Sequence, residues 1–272
     1  MEKFSVLMSV YYKENPTFLK QALESVWWQT AKPSEIVVVK DGPLTPELDS
    51  TLATLAAVMP IKMVPLSKNN GLGKALSIGL QTCSNELIAR MDSDDIAKPN
   101  RFERELAVFE TNPEIDVVGS WVDEFQESTE HIVAQRTVPE TDWEIKKYAR
   151  HRNPMNHPTV MFRKPSVIEV GSYVHMPLYE DYYLWVRMLC AGFHFYNIQS
   201  SLLYFRTSAD LYKRRGGVRY VEYDLKFQNA ICRTGFINQL CMLENILMRV
   251  PVRIVPNYIR EFLYRFLRKS NL

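Results

Sequence analysis

Four consecutive residues, Asp92-Ser93-Asp94-Asp95, carry the strongest chemical signal in the sequence. Three carboxylates this close repel one another unless a cation or hydrogen-bond donors compensate. The Asp-x-Asp spacing suits a hard divalent ion, Mg²⁺ or Mn²⁺, which keeps open coordination positions for phosphate oxygens. The alternative is a solvated turn in which an aspartate caps a helix. The position directly after an apolar, strand-like segment favours a metal site at Asp92 and Asp94.

A second pair of acids, Glu180 and Asp181, lies inside the aromatic segment 178–185. Aromatic walls lower the local dielectric constant and raise a carboxyl pKa towards the range of a general base. Acids are also favoured in the first turn of a helix, where they interact with the helix dipole. The residues themselves leave both interpretations open, a catalytic base or a helix cap.

Strand-like and helix-like segments alternate along the first 120 residues. Apolar β-formers predict strands, and apolar residues at three- and four-residue spacing predict helices. The predicted strands are 4–10, 35–40, 61–66 and 86–91, and the predicted helices are 16–29, 46–58, 72–82 and 99–110. Alternation at this pitch predicts βαβ units, right-handed crossovers and a parallel sheet, so the fold class is α/β.

The pattern loosens in the second half of the chain. Strands are predicted at 116–122, 159–163 and 194–205, and helices at 143–150, 179–191 and from 213 onwards. In the first half, polar residues follow three predicted strands, namely Tyr11, Asp41 and Asp92. Open parallel sheets bind ligands outside the carboxyl ends of their strands. We therefore expect three separate chain segments to form one binding rim.

Five segments in order resemble the successive signatures of family-2 inverting glycosyltransferases with the GT-A fold. They are SVLMSVYYKENPTFLKQALESVWWQT, EIVVVKDGP, KNNGLGKALSIGL, ARMDSDDIAKPNRFERE and LYEDYYLWVRML, spanning about residues 3–205. The chain is most similar to bacterial enzymes of O-antigen, capsule or exopolysaccharide assembly, and LLYFRTSADLYKRRGGVRY is similar to theirs too. The resemblance implies a Rossmann-like GT-A domain with a mainly parallel central sheet and a helical C-terminal extension.

The resemblance assigns four residues to the nucleotide. Tyr11 matches the position whose ring and backbone hold the uracil. Asp41 matches the acid that accepts a hydrogen bond from the base. Lys68 and Asn70 match loop residues that line the nucleotide pocket.

The resemblance also assigns the acids. Asp92 matches the first acid of the Asp-x-Asp motif, near the ribose, and Asp94 matches the metal ligand that bridges to the diphosphate. Asp95 matches an acid that faces the donor sugar. Asp181 matches the general base, with Glu180 beside it.

The implied chemistry follows from these roles. A nucleoside diphosphate leaving group needs charge neutralisation, which bound Mn²⁺ or Mg²⁺ supplies as a Lewis acid. A carboxylate removes the acceptor proton as the hydroxyl attacks the anomeric carbon from the opposite side, so the configuration inverts. The implied donor is a UDP-hexose or UDP-N-acetylhexosamine. The implied acceptor is an undecaprenyl-diphosphate-linked saccharide of O-antigen or capsule synthesis.

Three alternatives remain open from the sequence. A transferase of the same fold that uses another nucleotide sugar, such as dTDP-rhamnose, would differ only in its donor pocket. A nucleotidyltransferase would usually carry a glycine-rich loop near the first strand, and MSVYYKENP lacks one. A non-catalytic carbohydrate-binding or assembly protein is disfavoured by the intact acids Asp92, Asp94 and Asp181.

Two further polar positions are candidates for the site. Arg214 and Arg215 precede two glycines, and guanidinium groups bind phosphate bidentately, so they are candidates for a donor or acceptor diphosphate. A solvated basic loop is an equal alternative for them. His157 precedes a predicted strand and is a candidate acceptor contact, although a lone histidine is more often structural.

Charge and apolar patterning set the C-terminal part of the chain apart. Residues 206–272 carry thirteen Lys/Arg and five Asp/Glu, whereas the whole chain has a net charge of only +2. Ile259, Phe262 and Phe266 recur at helical spacing among arginines, which predicts an interfacial amphipathic helix on an anionic membrane. The alternative is a helix packed on the catalytic domain. No pattern typical of nucleic-acid binding is present.

These features together predict localisation and domain organisation. The N-terminus lacks a secretory signal, and the four cysteines lack a metal or disulfide spacing, which indicates buried thiols in a reducing compartment. We expect a cytoplasmic protein, peripheral on the inner face of the bacterial membrane. The expected domains are a catalytic domain at 1–210 and a basic helical extension at 211–272. The catalytic domain divides into a nucleotide-binding half, about 1–120, and an acceptor-binding half, about 121–210.

Overall fold

The computed structural model describes residues 2–207 and 217–255, and within them nine strands and nine α-helices form. The strands are Phe4–Val10 (β1), Glu35–Lys40 (β2), Ile61–Pro65 (β3), Leu87–Met91 (β4), Ile96–Ala97 (β5), Ile115–Phe125 (β6), Ile132–Arg136 (β7), Met161–Arg163 (β8) and His194–Arg206 (β9). The helices are Pro16–Trp27 (α1), Pro46–Ala56 (α2), Leu72–Thr82 (α3), Arg101–Thr111 (α4), Asp142–Tyr148 (α5), Lys164–Glu169 (α6), Glu180–Ala191 (α7), Val218–Arg233 (α8) and Gln239–Ile254 (α9).

The first half of the chain builds a parallel sheet in the order β3-β2-β1-β4. β1, β2 and β4 are buried along almost their whole length, as expected for apolar strands that helices cover on both faces. The chain runs outward from β1 to β3 and then returns to the other side of β1 for β4. A topological switch point therefore lies between β1 and β4, where sheets of this kind bind ligands.

The second half extends the same sheet. β8 pairs antiparallel with both β4 and β6 and so joins the two halves. β6 and β9 pair in parallel, while β7 and β5 add short antiparallel pairings at β6 and β9. The predicted α/β fold with a mainly parallel sheet is confirmed.

Several element ends differ from the predictions. α4 begins at Arg101 rather than at 99, because Lys98 N–H donates to the Leu202 carbonyl and the Pro99 carbonyl accepts from Thr30 N–H, each at 2.9 Å. The predicted strand at 159–163 begins only at 161, since residues 157–159 form a 3₁₀ turn. The elements β5 and α6 were not predicted, because two and six residues are too few for a periodic pattern. β7 was not predicted because its sequence, IVAQR, has only three apolar residues in a row.

Apolar side chains form one cluster on each face of the sheet. The first cluster packs against α1, α2 and α4, and the second packs against α3 and α7. Alternation along β4 shows the division, because Leu87, Ala89 and Met91 belong to the first cluster and Ile88 to the second. By the same alternation Arg90 projects from the second face, towards α3 and α7.

The described part of the helical C-terminal extension packs on the catalytic body. Phe227 of α8 stacks on Tyr179, with ring centroids 4.5 Å apart and planes 9° apart. Asn245 of α9 donates to the Arg150 carbonyl at 2.8 Å. The domain boundary at 210/211 stays a prediction, because residues 208–216 lie outside the described part of the chain, as does the predicted amphipathic segment 259–269.

The cysteines are all free, but they are not all buried. Cys83 and Cys241 are buried as predicted, whereas Cys232 is half-buried and Cys190 is exposed. The prediction is wrong for Cys190 because it lies in the last turn of α7, on the side that faces away from the core. Within residues 2–207 and 217–255, no helix is both long and apolar enough to cross a bilayer.

Candidate functional site

The carboxyl ends of β1, β2 and β4 meet at one edge of the sheet, because these strands are adjacent and parallel. Tyr11, Asp41 and Asp92 each follow one of them. The Asp41 N–H donates to the Val10 carbonyl at 2.8 Å, which continues the pairing of β1 and β2 into this rim. The three chain segments therefore lie along a common edge.

Asp41 is buried and organises the loop that precedes α3. Its Oδ1 accepts from the Asn70 N–H at 2.7 Å, and its Oδ2 accepts from the Gly71 N–H at 3.0 Å. The chain turns at Gly42, whose φ is +90° and where a Cβ would lie 2.7 Å from Asn69 N. Each carboxylate oxygen has two lone pairs, so Asp41 keeps acceptor capacity for a bound base. Its contact with uracil stays a prediction.

The other predicted nucleotide residues surround this loop. Tyr11 is half-buried and packs edge-on against Tyr12, with ring centroids 5.8 Å apart. Lys68 is exposed, and the Asn70 Nδ2 donates to the Lys68 carbonyl at 2.7 Å. An aromatic ring beside a polar loop offers both a stacking surface and hydrogen-bonding groups to a nucleobase.

The acids at the end of β4 converge on one point. One carboxylate oxygen each from Asp92, Asp94 and Asp95 lies within 4.8 Å of the others. Burial, together with the neighbouring Asp92, raises the pKa of Asp94 to about 6 and that of Asp95 well above its ordinary value. Among the residues that the structure describes, the Asp95 Oδ2 is buried without a hydrogen-bond partner. Carboxylate oxygens gathered in this way are the ligand type that a hard divalent ion takes.

The acidic cluster is hydrogen-bonded by two arginines, Arg90 and Arg206. Neither was predicted from the sequence. Arg90 Nη2 donates to Asp92 Oδ1 and forms an ion pair with it. Arg206, at the end of β9, donates its N–H to Asp95 Oδ1 and its Nε to the Asp94 carbonyl, each at 2.8 Å. An arginine inside the apolar run of β4 is the signal that would have drawn attention to Arg90. Arg206 has no comparable signal, because its partners lie more than 100 residues away.

The second group of acids begins α7. Asn153 Nδ2 donates to Asp181 Oδ2 at 2.7 Å. Burial raises the pKa of Asp181, while Asn153 and the charges of Arg136 and Arg90 oppose that rise. Burial also raises the pKa of Glu180 to about 7. Both carboxyls therefore have pKa values shifted towards the range in which a general base operates.

A close contact joins α7 to the nucleotide loop. Gly73, in the first turn of α3, faces Glu180, and a Cβ at Gly73 would lie 2.8 Å from Glu180 Cγ. Leu178 enters α7 with a φ of +70°, a left-handed conformation that costs a non-glycine residue roughly 1–3 kcal/mol. Strain of this kind concentrates at functional sites because the surroundings must enforce it.

The remaining predicted residues fall elsewhere. His157 is buried, and its Nε2 lies 2.9 Å from the Tyr173 hydroxyl, with the Trp185 ring beside it. Burial and the nearby Arg90 hold the pKa of His157 well below its ordinary value, so it is neutral. The geometry gives it a packing role, and its contact with an acceptor stays a prediction. Arg214 and Arg215 lie outside the described residues.

Comparison with known families agrees with this geometry. Residues 5–172 match the model described as Glycosyl transferase family 2, and the chain belongs to that family. It is 39% identical to the Escherichia coli UDP-Gal:alpha-D-GlcNAc-diphosphoundecaprenol beta-1,3-galactosyltransferase, over 97% of this chain and 95% of that protein. It is also 39% identical to the amylovoran biosynthesis glycosyltransferase AmsE of Erwinia amylovora, over 98% of this chain and 100% of that protein. The chain is therefore a bacterial-type glycosyltransferase.

Solved structures support the fold. S. aureus TarS 1–349 in complex with UDP-GlcNAc superposes with a TM-score of 0.67 at 17% identity, covering 92% of this chain and 72% of that one. At that identity the likeness establishes the architecture alone. The predicted GT-A fold with a helical C-terminal segment is confirmed.

Proposed function

We propose that the protein transfers a hexose from a UDP-hexose to a hydroxyl of a lipid-diphosphate-linked saccharide, with metal assistance and inversion at the anomeric carbon. The observation that carries this proposal is the joint arrangement of two acidic groups. The aspartates at the end of β4 cluster as ligands would, and Asp181 is not part of that cluster, is half-buried and has a raised pKa. The aspartates at the end of β4 are suited to binding a cation, and Asp181 is suited to accepting a proton.

The chain's own residues have separate tasks in this reaction. The acceptor oxygen bonds to the anomeric carbon as the bond from that carbon to the diphosphate breaks. Asp181 accepts the proton of the attacking hydroxyl, and Asn153 orients its carboxylate. Asp41 shapes the loop that receives the base, because it holds two N–H groups of that loop. Mn²⁺ or Mg²⁺ held by Asp94 and Asp92 supplies Lewis-acid neutralisation of the diphosphate when bound.

The similarity to the E. coli enzyme guides the choice of substrates. That relative is named for a UDP-Gal donor and a GlcNAc-diphosphoundecaprenol acceptor, and the similarity extends over almost both chains. We infer UDP-galactose as the first donor to test, with a GlcNAc-diphosphate-lipid acceptor. An α-linked donor would give a β-linked product by inversion.

A donor screen tests the proposal. The chain is incubated with MnCl₂, a GlcNAc-diphosphate-lipid analogue and, in separate reactions, UDP-Gal, UDP-Glc, UDP-GlcNAc, UDP-GalNAc, GDP-Man or dTDP-rhamnose. We expect the acceptor to gain the mass of one hexose with UDP-Gal. We also expect the anomeric proton of the product to show the NMR coupling constant of a β linkage. Transfer from dTDP-rhamnose instead would establish the alternative donor. Absence of product with every donor, together with no metal-dependent UDP binding, would contradict the proposal.

We also infer that the enzyme works at an anionic membrane surface, where a lipid-linked acceptor resides. α9 exposes a row of apolar side chains on the face opposite its contact with the catalytic body: Leu240, Leu243, Leu247 and Ile254. A neighbouring groove of about 620 Å³ is lined by Lys146, Lys147 and Arg150, with the exposed Trp143 at its edge. Cations beside exposed aromatic and aliphatic groups are typical of interfacial membrane binding.

Vesicle sedimentation tests this part of the proposal. We expect the chain to sediment with phosphatidylglycerol-containing vesicles and not with pure phosphatidylcholine vesicles. Leu243→Asp with Leu247→Asp should weaken sedimentation by about tenfold or more, since burying each leucine contributes about 1.5–3 kcal/mol. Val133→Asp, at an exposed apolar position on β7, is the matched control. Equal sedimentation of all three proteins with the anionic vesicles would contradict the role of α9, and a wild-type chain that sediments with neither kind of vesicle would contradict membrane binding. Neither outcome bears on the transfer reaction.

A further inference from the structure

Arg90 is a buried cation in the middle of the sheet. Only 2% of its surface is exposed, and it projects from β4 towards α3 and α7. Moving a guanidinium out of water costs several kcal/mol unless partners satisfy it. Its Nη2 pairs with Asp92, but Nε and Nη1 are buried with no hydrogen-bond partner among the described residues. Such an incompletely satisfied charge is a poor contributor to stability, so its presence calls for another explanation.

The position of Arg90 provides that explanation. Its Nη2 holds Asp92 of the first acidic group, and its side chain projects from β4 to the face of the sheet that α7, the helix of Asp181, covers. The positive charge of Arg90 lowers the pKa of Asp94, Asp95 and Asp181 alike. It also lowers the pKa of Tyr173, whose hydroxyl lies 2.9 Å from His157 Nε2, while Asp181 and Asp92 raise that pKa.

We propose that Arg90 is a positioning residue of the transfer reaction: it fixes the Asp92 carboxylate of the metal site, and its positive charge acts both on that site and on Asp181. The inference rests on the proposed function and deepens it. One oxygen of Asp92 is taken by Arg90, while the side chain, 30% exposed, still faces the open side of the site. A residue that orients a metal-binding carboxylate in this way typically changes affinity or activity by about 10–100-fold when it is replaced.

Several polar and charged groups act on Asp181. Asn153 and Tyr173 approach from loops, Arg136 from β7 and Glu180 from its own helix, in addition to Arg90 from β4. Arg136 supplies a second positive charge, so loss of Arg90 weakens the stabilisation of the Asp181 carboxylate without abolishing it. Activity then falls off at a higher pH on acidification, because a less stabilised carboxylate protonates earlier.

Three variants test the inference. Arg90→Met removes the charge and the hydrogen bond, and Arg90→Lys keeps the charge but loses the planar donor geometry. Arg163→Met is the matched control, because Arg163 is half-buried and pairs with Glu86 at 3.0 Å, at the end of β4 opposite to Asp92. Thermal unfolding of all three identifies variants that fail to fold. Binding of UDP in the presence of MnCl₂, measured by calorimetry, gives a readout that needs no turnover.

The expected pattern separates positioning from stability. Arg90→Met should weaken UDP binding with MnCl₂ by about 10–100-fold and raise the pH of the acid limb of kcat. Arg90→Lys should leave the acid limb near its wild-type position while UDP binding stays weakened. Arg163→Met should lower the unfolding temperature without moving either readout. Unchanged UDP binding and an unchanged acid limb in folded Arg90→Met would overturn the inference. Absence of turnover in the wild type with every donor would instead refute the proposed function, and the calorimetric comparison would still decide the role of Arg90.

Discussion

The two acidic groups of the site differ in why their carboxylates are unfavourable in the charged form. At the end of β4, three carboxylates lie together, so burial and mutual repulsion both raise the pKa of Asp94 and Asp95. At the start of α7, burial is the main cause of the raised pKa of Asp181 and Glu180. A bound cation would compensate the repulsion among the three aspartates, whereas uptake of a proton would neutralise the buried charge at the start of α7. The difference suggests that the first group binds metal and the second transfers a proton. Variants in each group test this separation of roles.

Loss of Asp94 should have the largest effect. Asp94→Ala removes a ligand at the centre of the acidic cluster, and we expect turnover to fall by more than about 10³-fold, since neutralising the leaving group is worth several kcal/mol. Calorimetry should show that UDP binding no longer depends on MnCl₂. Glu86→Ala, an exposed acid at the opposite end of β4, is the control and should retain both properties. Metal-dependent binding that survives in Asp94→Ala would argue against the metal site.

Replacement of Asp181 should lower turnover without changing the affinity for the nucleotide. In Asp181→Asn we expect kcat to fall by about 10²–10⁴-fold, because the amide cannot accept the proton. UDP binding with MnCl₂ should match the wild type. Glu180→Gln is the paired variant, and we expect its kcat to stay within roughly tenfold of the wild type, a loss of no more than about 1.4 kcal/mol. A larger loss in Glu180→Gln than in Asp181→Asn would reverse the assignment of the base.

The comparison also explains what the sequence could predict. The acidic cluster lies within four residues directly after an apolar strand, so local spacing and the strand-end rule were enough to propose it. The parallel sheet of the first half was likewise predicted from the alternation of strand and helix patterns, whereas the order of its strands was not. Such local signals need no knowledge of contacts between distant residues.

The second acidic group depends on distant residues, and there the sequence was less informative. The sequence identified Glu180 and Asp181 as candidate acids. It did not identify Asn153 and Arg90 as residues that act on them, because nothing in the spacing along the chain connects these residues with the acids. His157 was a candidate acceptor contact with a structural role as the more frequent alternative, and tertiary packing places it among buried rings. Arg206 contacts Asp94 and Asp95 only because β9 returns to the sheet beside β5.

The pH dependence of the wild-type enzyme should report the second group. The base must be ionised to accept a proton, and burial raises the pKa of Asp181 above the ordinary value of about 3.9. Activity should therefore fall on acidification at a pH above that value, with about half of it lost where the pH equals the shifted pKa and a loss of about tenfold one pH unit lower. A profile of kcat against pH, measured at saturating donor and MnCl₂, gives this acid limb. An acid limb at or below the ordinary aspartate value would mean that Asp181 is not the base.

The smallest effect should come from the contact that joins the two regions. Gly73→Ala places a Cβ 2.8 Å from Glu180 Cγ, so the flexible Glu180 side chain must move. Alanine also favours the helical conformation by about 1 kcal/mol relative to glycine, so the unfolding temperature should not fall. We expect kcat to decrease by about fivefold, since roughly 1 kcal/mol of misplacement changes a rate by that factor. Ser77→Ala, one turn further along α3, is the control. If Gly73→Ala lowers UDP affinity instead of kcat, the contact serves the nucleotide loop rather than the acids of α7.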